Sequence, residues 1–197
     1  VPVYVDEAWG PHFYFHAALP VPAMLSGIDG AVTSTHKVLP SLTQAAVLNV
    51  RGPRVDPGKL ASAVSMVNTT SPSVLILASI DAVRRQMALH GGSLVSEAIM
   101  LAEYLRDRLN QLPGVSVLTR EALGIDQYDL TKLVIDVHGL GLTGLEVERI
   151  LRNRFHIQPE MSDLISVVCL VSIADDQTSI DHLIDAFEAL SSERSRR

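Results

Sequence analysis

A short apolar run, Ile28-Asp29-Gly30-Ala31-Val32, closes on Thr33-Ser34-Thr35-His36-Lys37 and is followed by Val38-Leu39-Pro40, where proline stops regular structure. The pattern puts a lysine at the end of a buried, strand-like segment, with hydroxyls and an imidazole just before it. Burial disfavours an ammonium and lowers its pKa, which turns a lysine into a usable nucleophile or Schiff-base partner. The hydroxyls and the imidazole can hold an anion such as a phosphate beside it. Taken alone, the stretch reads as a lysine whose head snorkels into water, as most do. Its company upstream decides the matter.

Upstream, Val3-Tyr4-Val5 runs into Asp6-Glu7-Ala8-Trp9-Gly10-Pro11-His12 and then Phe13-Tyr14-Phe15-His16. An apolar strand ending in an acid and a glycine is how open α/β sheets present a functional side chain, since ligands sit beyond the carboxyl ends of the strands. In isolation Asp6 reads as a cap for the next turn. Paired with Lys37 on a neighbouring strand end, it can address the opposite end of one ring. The acid then keeps a pyridine nitrogen protonated while the lysine amine forms an imine with the ring's aldehyde.

These two stretches, the second continuing as Ser41-Leu42-Thr43-Gln44-Ala45, resemble the core of the prokaryotic ornithine/lysine/arginine decarboxylases. The resemblance implies a pyridoxal 5'-phosphate enzyme with the aspartate-aminotransferase type of fold. It covers essentially the whole chain, which corresponds to the later part of the family's length. It assigns Asp6 to the pyridinium nitrogen, Ala8 to packing against the ring, and Lys37 to the Schiff base. Ser34 and His36 match residues beside the cofactor phosphate, and Trp9 stands where members carry Trp or His. The implied reaction removes carbon dioxide from a basic amino acid, in polyamine biosynthesis. Lys37 or a neighbouring histidine then delivers a proton to the α-carbon; His36 ranks first for the phosphate, with His12 and His16 as further candidates.

Composition agrees with a folded enzyme. The 197 residues are 47% hydrophobic and 19% charged, enough for one large domain or two small ones and too apolar for disorder. A formal charge of −6, with no basic run except Arg194 to Arg197, argues against nucleic acid as the main partner. Those last residues read as a solvated tail. The lone Cys169 excludes an internal disulfide and fits a reducing, cytoplasmic compartment, and its apolar strand makes it a core residue. No run has membrane-spanning length, no signal-peptide order opens the chain, and no metal site is expected.

Residues 45–50 read as a buried strand, and Asp56-Pro57 opens a helix through Leu60, Val64 and Val67. Asn68-Thr69-Thr70-Ser71-Pro72-Ser73 is a polar loop. The resemblance implies that it reaches across a dimer interface to the partner's cofactor phosphate, so Thr70 joins the site and the enzyme is a homodimer with shared active sites. The helix over 74–89 is apolar in its first half and expected buried there. His90-Gly91-Gly92 is expected to break it, dividing a large-domain part (1–92) from a small α+β domain (93–197). The fold class is therefore α/β: the C-terminal part of a type-I large domain with a mainly parallel sheet, followed by that small domain.

In the second part, Leu94, Ile99, Leu101, Leu105 and Leu109 have helical spacing. Residues 115–118, 133–137 and 167–173 read as strands. Gly139-Leu140-Gly141-Leu142-Thr143-Gly144 lacks the dinucleotide fingerprint, and Thr143 with Glu146 reads as a capping box for a helix over 144–155 whose Leu145, Ile150 and Leu151 point inward. A last helix runs over 178–190. Glu160 is suited to a basic substrate side chain, and equally to an exposed surface.

The chain lacks an initiator methionine and opens into a strand already under way, so it is expected to be a fragment. The resemblance places an upstream phosphate loop and a ring-stacking aromatic or histidine outside it, which implies poor cofactor binding and little decarboxylation by this piece alone. Two other readings stand beside the decarboxylase: an aminotransferase or carbon–sulfur lyase of the same fold, and a catalytically inactive dimerising remnant.

Overall fold

A computed structural model of the chain describes residues 1–194. It contains two compact units, Val1–Val95 and Ser96–Arg197. The expected solvated tail begins at Arg194, the last residue of a helix, and otherwise lies outside the described residues. Among the described residues no helix is long and apolar enough to cross a membrane.

The first unit is built on a three-stranded sheet. Strand β1 (Tyr4–Asp6) lies parallel to β2 (Gly30–Ser34), which pairs antiparallel with β3 (Ala46–Val50). The link from β1 to β2 carries two short 3-10 turns, Phe13–Phe15 and Ala23–Leu25. The base of the sheet is pinned by Asp29, which is 2% exposed. One of its carboxylate oxygens accepts from the Val3 N–H (2.8 Å) and the other from Arg54 Nε (2.7 Å). Both outer strands are more open than the expected buried strands. Tyr4, Val32 and Leu48 lie on one face and are all exposed, with Val32 opposite Leu48 and Tyr4 opposite Gly30.

After β2 the chain makes a single helical turn, α1 (Thr35–Val38), before crossing to β3. Helix α2 (Pro57–Val67) starts where its local code says it should: the Asp56 carboxylate accepts from the Gly58 and Lys59 N–H groups, with proline at the first helical position. It buries no residue completely.

Helix α3 (Val74–Asn110) corrects two expectations. Its apolar start is open to solvent: Val74, Leu75 and Leu77 are exposed, because no other described element covers them. And it runs unbroken for 37 residues through His90-Gly91-Gly92, so the division between the units falls inside it, at Val95/Ser96. A helical glycine costs only about 1 kcal/mol relative to alanine, which packing can offset. At Gly91 it does: a Cβ there would lie 2.6 Å from the Phe15 ring, so the missing side chain is what lets that ring seat on the helix.

The second unit is a four-stranded antiparallel sheet, order β4-β5-β7-β6, of β4 (Ser116–Val117), β5 (Lys132–Asp136), β6 (Met161–Ser162) and β7 (Ser166–Leu170). Between β4 and β5 lies the short α4 (Arg120–Leu123). The sheet packs with α5 (Gly144–Phe155), α6 (Gln177–Arg194) and the later part of α3. Strand β5 alternates cleanly, with Leu133 and Ile135 fully buried and Lys132, Val134 and Asp136 outward. Around them close Leu105, Leu109, Val147, Leu151, Val167 and Phe187, all at 0% exposure. Helix α5 has the expected capping box, Thr143 Oγ1 accepting from the Glu146 N–H while Glu146 accepts from the Thr143 N–H at 2.8 Å. Its inward face differs: Val147 and Leu151 are buried, whereas Leu145 is exposed. The glycine run is structural here, since a Cβ on Gly144 would stand 2.0 Å from the Ser166 carbonyl oxygen. Cys169 is buried, and that burial pushes its thiol up to about 12, so it is an inert core group.

Candidate active site

The parallel pairing of β1 with β2 puts two functional strand ends side by side. Asp6, the last residue of β1, is in register with Val32, and the Glu7 N–H continues the ladder to the Val32 carbonyl (2.8 Å). Two residues beyond Val32, β2 ends at Ser34 and turns into α1, which carries His36 and Lys37. Strand alternation sends Asp6 and Glu7 to opposite faces. Asp6 is exposed; Glu7, at 8% exposure, points inward.

That inward carboxylate organises the turn behind Asp6, and nothing about its residue type announces the role. Glu7 accepts from the buried Ala23 N–H at 2.7 Å and from the Tyr14 hydroxyl at 3.3 Å. Burial, and then the negative charge of Glu7, raise the pKa of the Tyr14 phenol above its ordinary value. The chain folds back over the Glu7 side chain so closely that a Cβ on Gly10 would lie 2.6 Å from Glu7 Cγ. Ala8 and Trp9 ride on this turn, and Asp6 Oδ1 accepts from the Ala8 N–H at 3.0 Å. The capping use of Asp6 is thus real, and its carboxylate still faces outward.

Trp9 is half-buried, and its ring receives Lys37: the Nζ lies 4.8 Å from the ring centroid, within cation–π range. Lys37 itself is exposed, as is Asp6, which corrects the expectation that burial makes the lysine reactive. The reason is local. The strand ends three residues before Lys37, which is carried by the α1 turn beyond it. What this chain gives its lysine is placement.

Ser34, buried at 9% exposure, is the N-cap residue of α1, yet its hydroxyl makes no capping hydrogen bond. His36 is oriented by the chain that returns toward β3: its Nδ1 lies 2.8 Å from the Ala45 carbonyl oxygen. A carbonyl only accepts, so Nδ1 carries the hydrogen and Nε2 is the nitrogen left for a ligand. Thr35 is tied to the same carbonyl through its N–H (3.1 Å) and hydroxyl (3.2 Å), and its hydroxyl accepts from Ser41 (2.8 Å).

The structure therefore brings Asp6, Ala8, Trp9, Ser34, His36 and Lys37 to one end of one small sheet. The remaining candidates lie elsewhere. His12 is 2% exposed with its ring 4.8 Å from that of Phe13, so it is a packed histidine that offers substrate no open surface. His16 Nδ1 accepts from the Ala18 N–H in a local turn. Thr70 sits on an exposed loop, and Glu160 is an exposed residue of the second unit. A mainly apolar cavity of about 620 Å³, lined among others by Phe15, Thr33, Val47, Ile80 and Met87, touches neither Asp6 nor Lys37.

The donor set suits pyridoxal phosphate: an outward carboxylate, an amine over an indole, a small residue on the turn after the carboxylate, and a hydroxyl and imidazole for a phosphate.

Comparison with known proteins agrees with this arrangement. The arginine decarboxylase of Bacillus subtilis (strain 168) is 44% identical over 200 residues; the match covers 100% of this chain and 41% of that protein, so the chain spans less than half its relative's length. Among solved structures, the lysine decarboxylase of Francisella novicida superposes over 98% of this chain and 33% of its own, with a TM-score of 0.83 at 20% identity. A NifS-like protein from Rickettsia africae ESF-5 superposes over 97% of this chain and 54% of its own, with a TM-score of 0.71 at 16% identity. Likeness of this kind shows the fold, which is that of the C-terminal part of type-I pyridoxal-phosphate enzymes. The model described as Orn/Lys/Arg decarboxylase, major domain, matches residues 1–129, well over half of the chain, and the chain belongs to that family.

Proposed function

We propose that this chain carries the lysine-bearing half of the active site of a pyridoxal-phosphate-dependent decarboxylase acting on a basic amino acid, arginine first among the candidates. The observation that carries the proposal is the parallel pairing of β1 with β2, which brings the end of β1 with Asp6 beside the end of β2 that leads into Lys37, whose ammonium lies over the Trp9 ring. Arginine leads because the relative that matches the full length of the chain is an arginine decarboxylase.

When bound, pyridoxal phosphate supplies an electron sink for the pair left on the substrate's α-carbon. Every other duty falls to side chains. Asp6 offers the negative charge that keeps the ring nitrogen protonated, with Glu7 fixing the turn behind it. The Ser34 hydroxyl and, in the protonated ring, the Nε2–H of His36 are the groups that would donate to the phosphate. Lys37 is the amine for the aldehyde carbon, and the Trp9 face holds its ammonium near the site when that amine is free. As the bond from the α-carbon to the carboxylate breaks, carbon dioxide leaves, the electron pair stays behind, and Lys37 returns a proton to the α-carbon.

The homodimer is part of the reading. Thr70 lies on an exposed loop flanked by Met66 (79% exposed), Val67 (87%), Val74 (75%) and Leu75 (74%). So many large apolar side chains beside one polar loop support a buried interface there, through which Thr70 reaches the partner's site.

The test is covalent capture. On addition of pyridoxal phosphate, full-length protein carrying this chain is expected to develop a visible absorption band that borohydride fixes onto Lys37, and the same protein with Lys37→Ala is expected to lack it. An equal band in both would remove Lys37 from the chemistry. Carbon dioxide release from arginine, ornithine and lysine then ranks the substrates and separates decarboxylation from transamination.

A further inference from the structure

Gln44 holds φ at +78°, one of two non-glycine residues among those described with a positive φ. The other, His156, closes α5 as an ordinary left-handed cap. Gln44 is the third residue of a turn closed by the Ala45 N–H on the Leu42 carbonyl (3.1 Å), where a positive φ is usual but favours glycine, so a side chain there costs free energy that the surroundings must offset. Its own side chain does not do so, being exposed and making no hydrogen bond to a described residue. What the conformation achieves appears at the next residue. Ala45 is fully buried, and its carbonyl accepts from the Thr35 N–H, the Thr35 hydroxyl and His36 Nδ1. Regular β3–β2 pairing begins only at Ala46, opposite Ser34, so the left-handed residue sits where the returning chain must aim one carbonyl across at α1.

We propose that Gln44 is a positioning residue for the site. Its left-handed backbone, rather than its amide, aims the Ala45 carbonyl at α1, which locks the His36 imidazole with the hydrogen on Nδ1 and sets the direction of Lys37 one residue on. The functional meaning rests on the pyridoxal-phosphate reading above; the geometry does not. Nε2 of His36 is then the one ring nitrogen left to take up a proton and donate to an anion, and the ring cannot turn over without giving up the carbonyl.

The experiment reads the His36 ring nitrogens by 15N NMR without cofactor, at a pH where the imidazole is neutral, in the wild type, Gln44→Gly and Gln44→Val. The wild type and Gln44→Gly are expected to show hydrogen on Nδ1, since glycine adopts this φ freely. Gln44→Val, β-branched and most strained at positive φ, is expected to move the hydrogen to Nε2. Capture of pyridoxal phosphate by Lys37 is expected to slow by on the order of tenfold in Gln44→Val and to stay near the wild-type rate in Gln44→Gly. An unchanged tautomer in Gln44→Val, or an equal loss in Gln44→Gly, overturns the proposal. Should Gln44→Val not fold, Gln44→Ala against Gln44→Gly asks the same question, and equal spectra from those two overturn it as well. Capture is measured in full-length protein carrying this chain; if the tautomers follow the expected pattern while none of those proteins captures the cofactor, the positioning role stands and the functional reading falls.

Discussion

Single side chains in this protein act through partners distant along the chain. Asp29 joins the start of β1 to Arg54, Glu7 joins Asp6's turn to Ala23, and His36 is aimed by Ala45. That spacing explains which residues could be read in advance. Asp6, Ser34, His36 and Lys37 fall in two local motifs, and the β1–β2 pairing brings those motifs to one end of the sheet. Glu7 and Asp29 look like any other acids until folding brings their partners in. Asp29 also has a measurable pH signature. The side-chain bond from Arg54, and then the Val3 N–H, hold its carboxyl below the ordinary 3.8. The folded-state value is depressed, so the stabilisation is present above about pH 4 and is lost as pH falls through the lower folded value. Asp29→Asn is expected to melt below the wild type at pH 7, with the gap closing as pH drops below about 4. Thermal melts from neutral to strongly acidic pH check this; a gap that stayed constant with pH would mean that the carboxylate charge contributes nothing.

Elements whose signals are local came out as their residues spell them. Asp56-Pro57 starts α2, and Thr143 with Glu146 starts α5. The stop at His90-Gly91-Gly92 did not, because a glycine pair ends a helix only when nothing favours continuing it, and here the Phe15 ring does. The two glycines differ in a way that substitution separates. A Cβ at Gly91 meets Phe15 at 2.6 and 3.0 Å and Met87 at 3.2 Å, whereas one at Gly92 meets only the Phe15 carbonyl oxygen, at 3.9 Å. Gly91→Val is therefore expected to destabilise by about 1–3 kcal/mol through overpacking. Gly92→Ala is expected to stabilise by about 0.5–1 kcal/mol by removing backbone freedom from the unfolded chain and adding helix propensity. Urea unfolding of the two variants tests the contrast. Equal shifts would mean that Phe15 does not use Gly91 as its seat.

At the scale of the whole molecule, exposure carries the information that the sequence could not. Apolar residues 74–77 read as buried because hydrophobic runs usually are, but burial depends on what else is present, and this chain spans 41% of its relative. Asp6 and Lys37 are likewise exposed in this chain. A second copy contributing Thr70 makes a prediction that no single-chain site can imitate. Suppose each site takes Lys37 from one subunit and Thr70 from the other. A mixed dimer of Lys37→Ala with Thr70→Ala then contains one site with both substitutions and one with neither. Random pairing of equal amounts makes half of all dimers mixed, so about one quarter of the sites are intact and carbon dioxide release should recover to about one quarter of the wild-type rate. Each variant alone sets the baseline, and full-length protein carrying this chain is the material. If Lys37 and Thr70 instead serve a site within one subunit, mixing leaves activity at the average of the two separate variants, and the shared-site dimer is excluded.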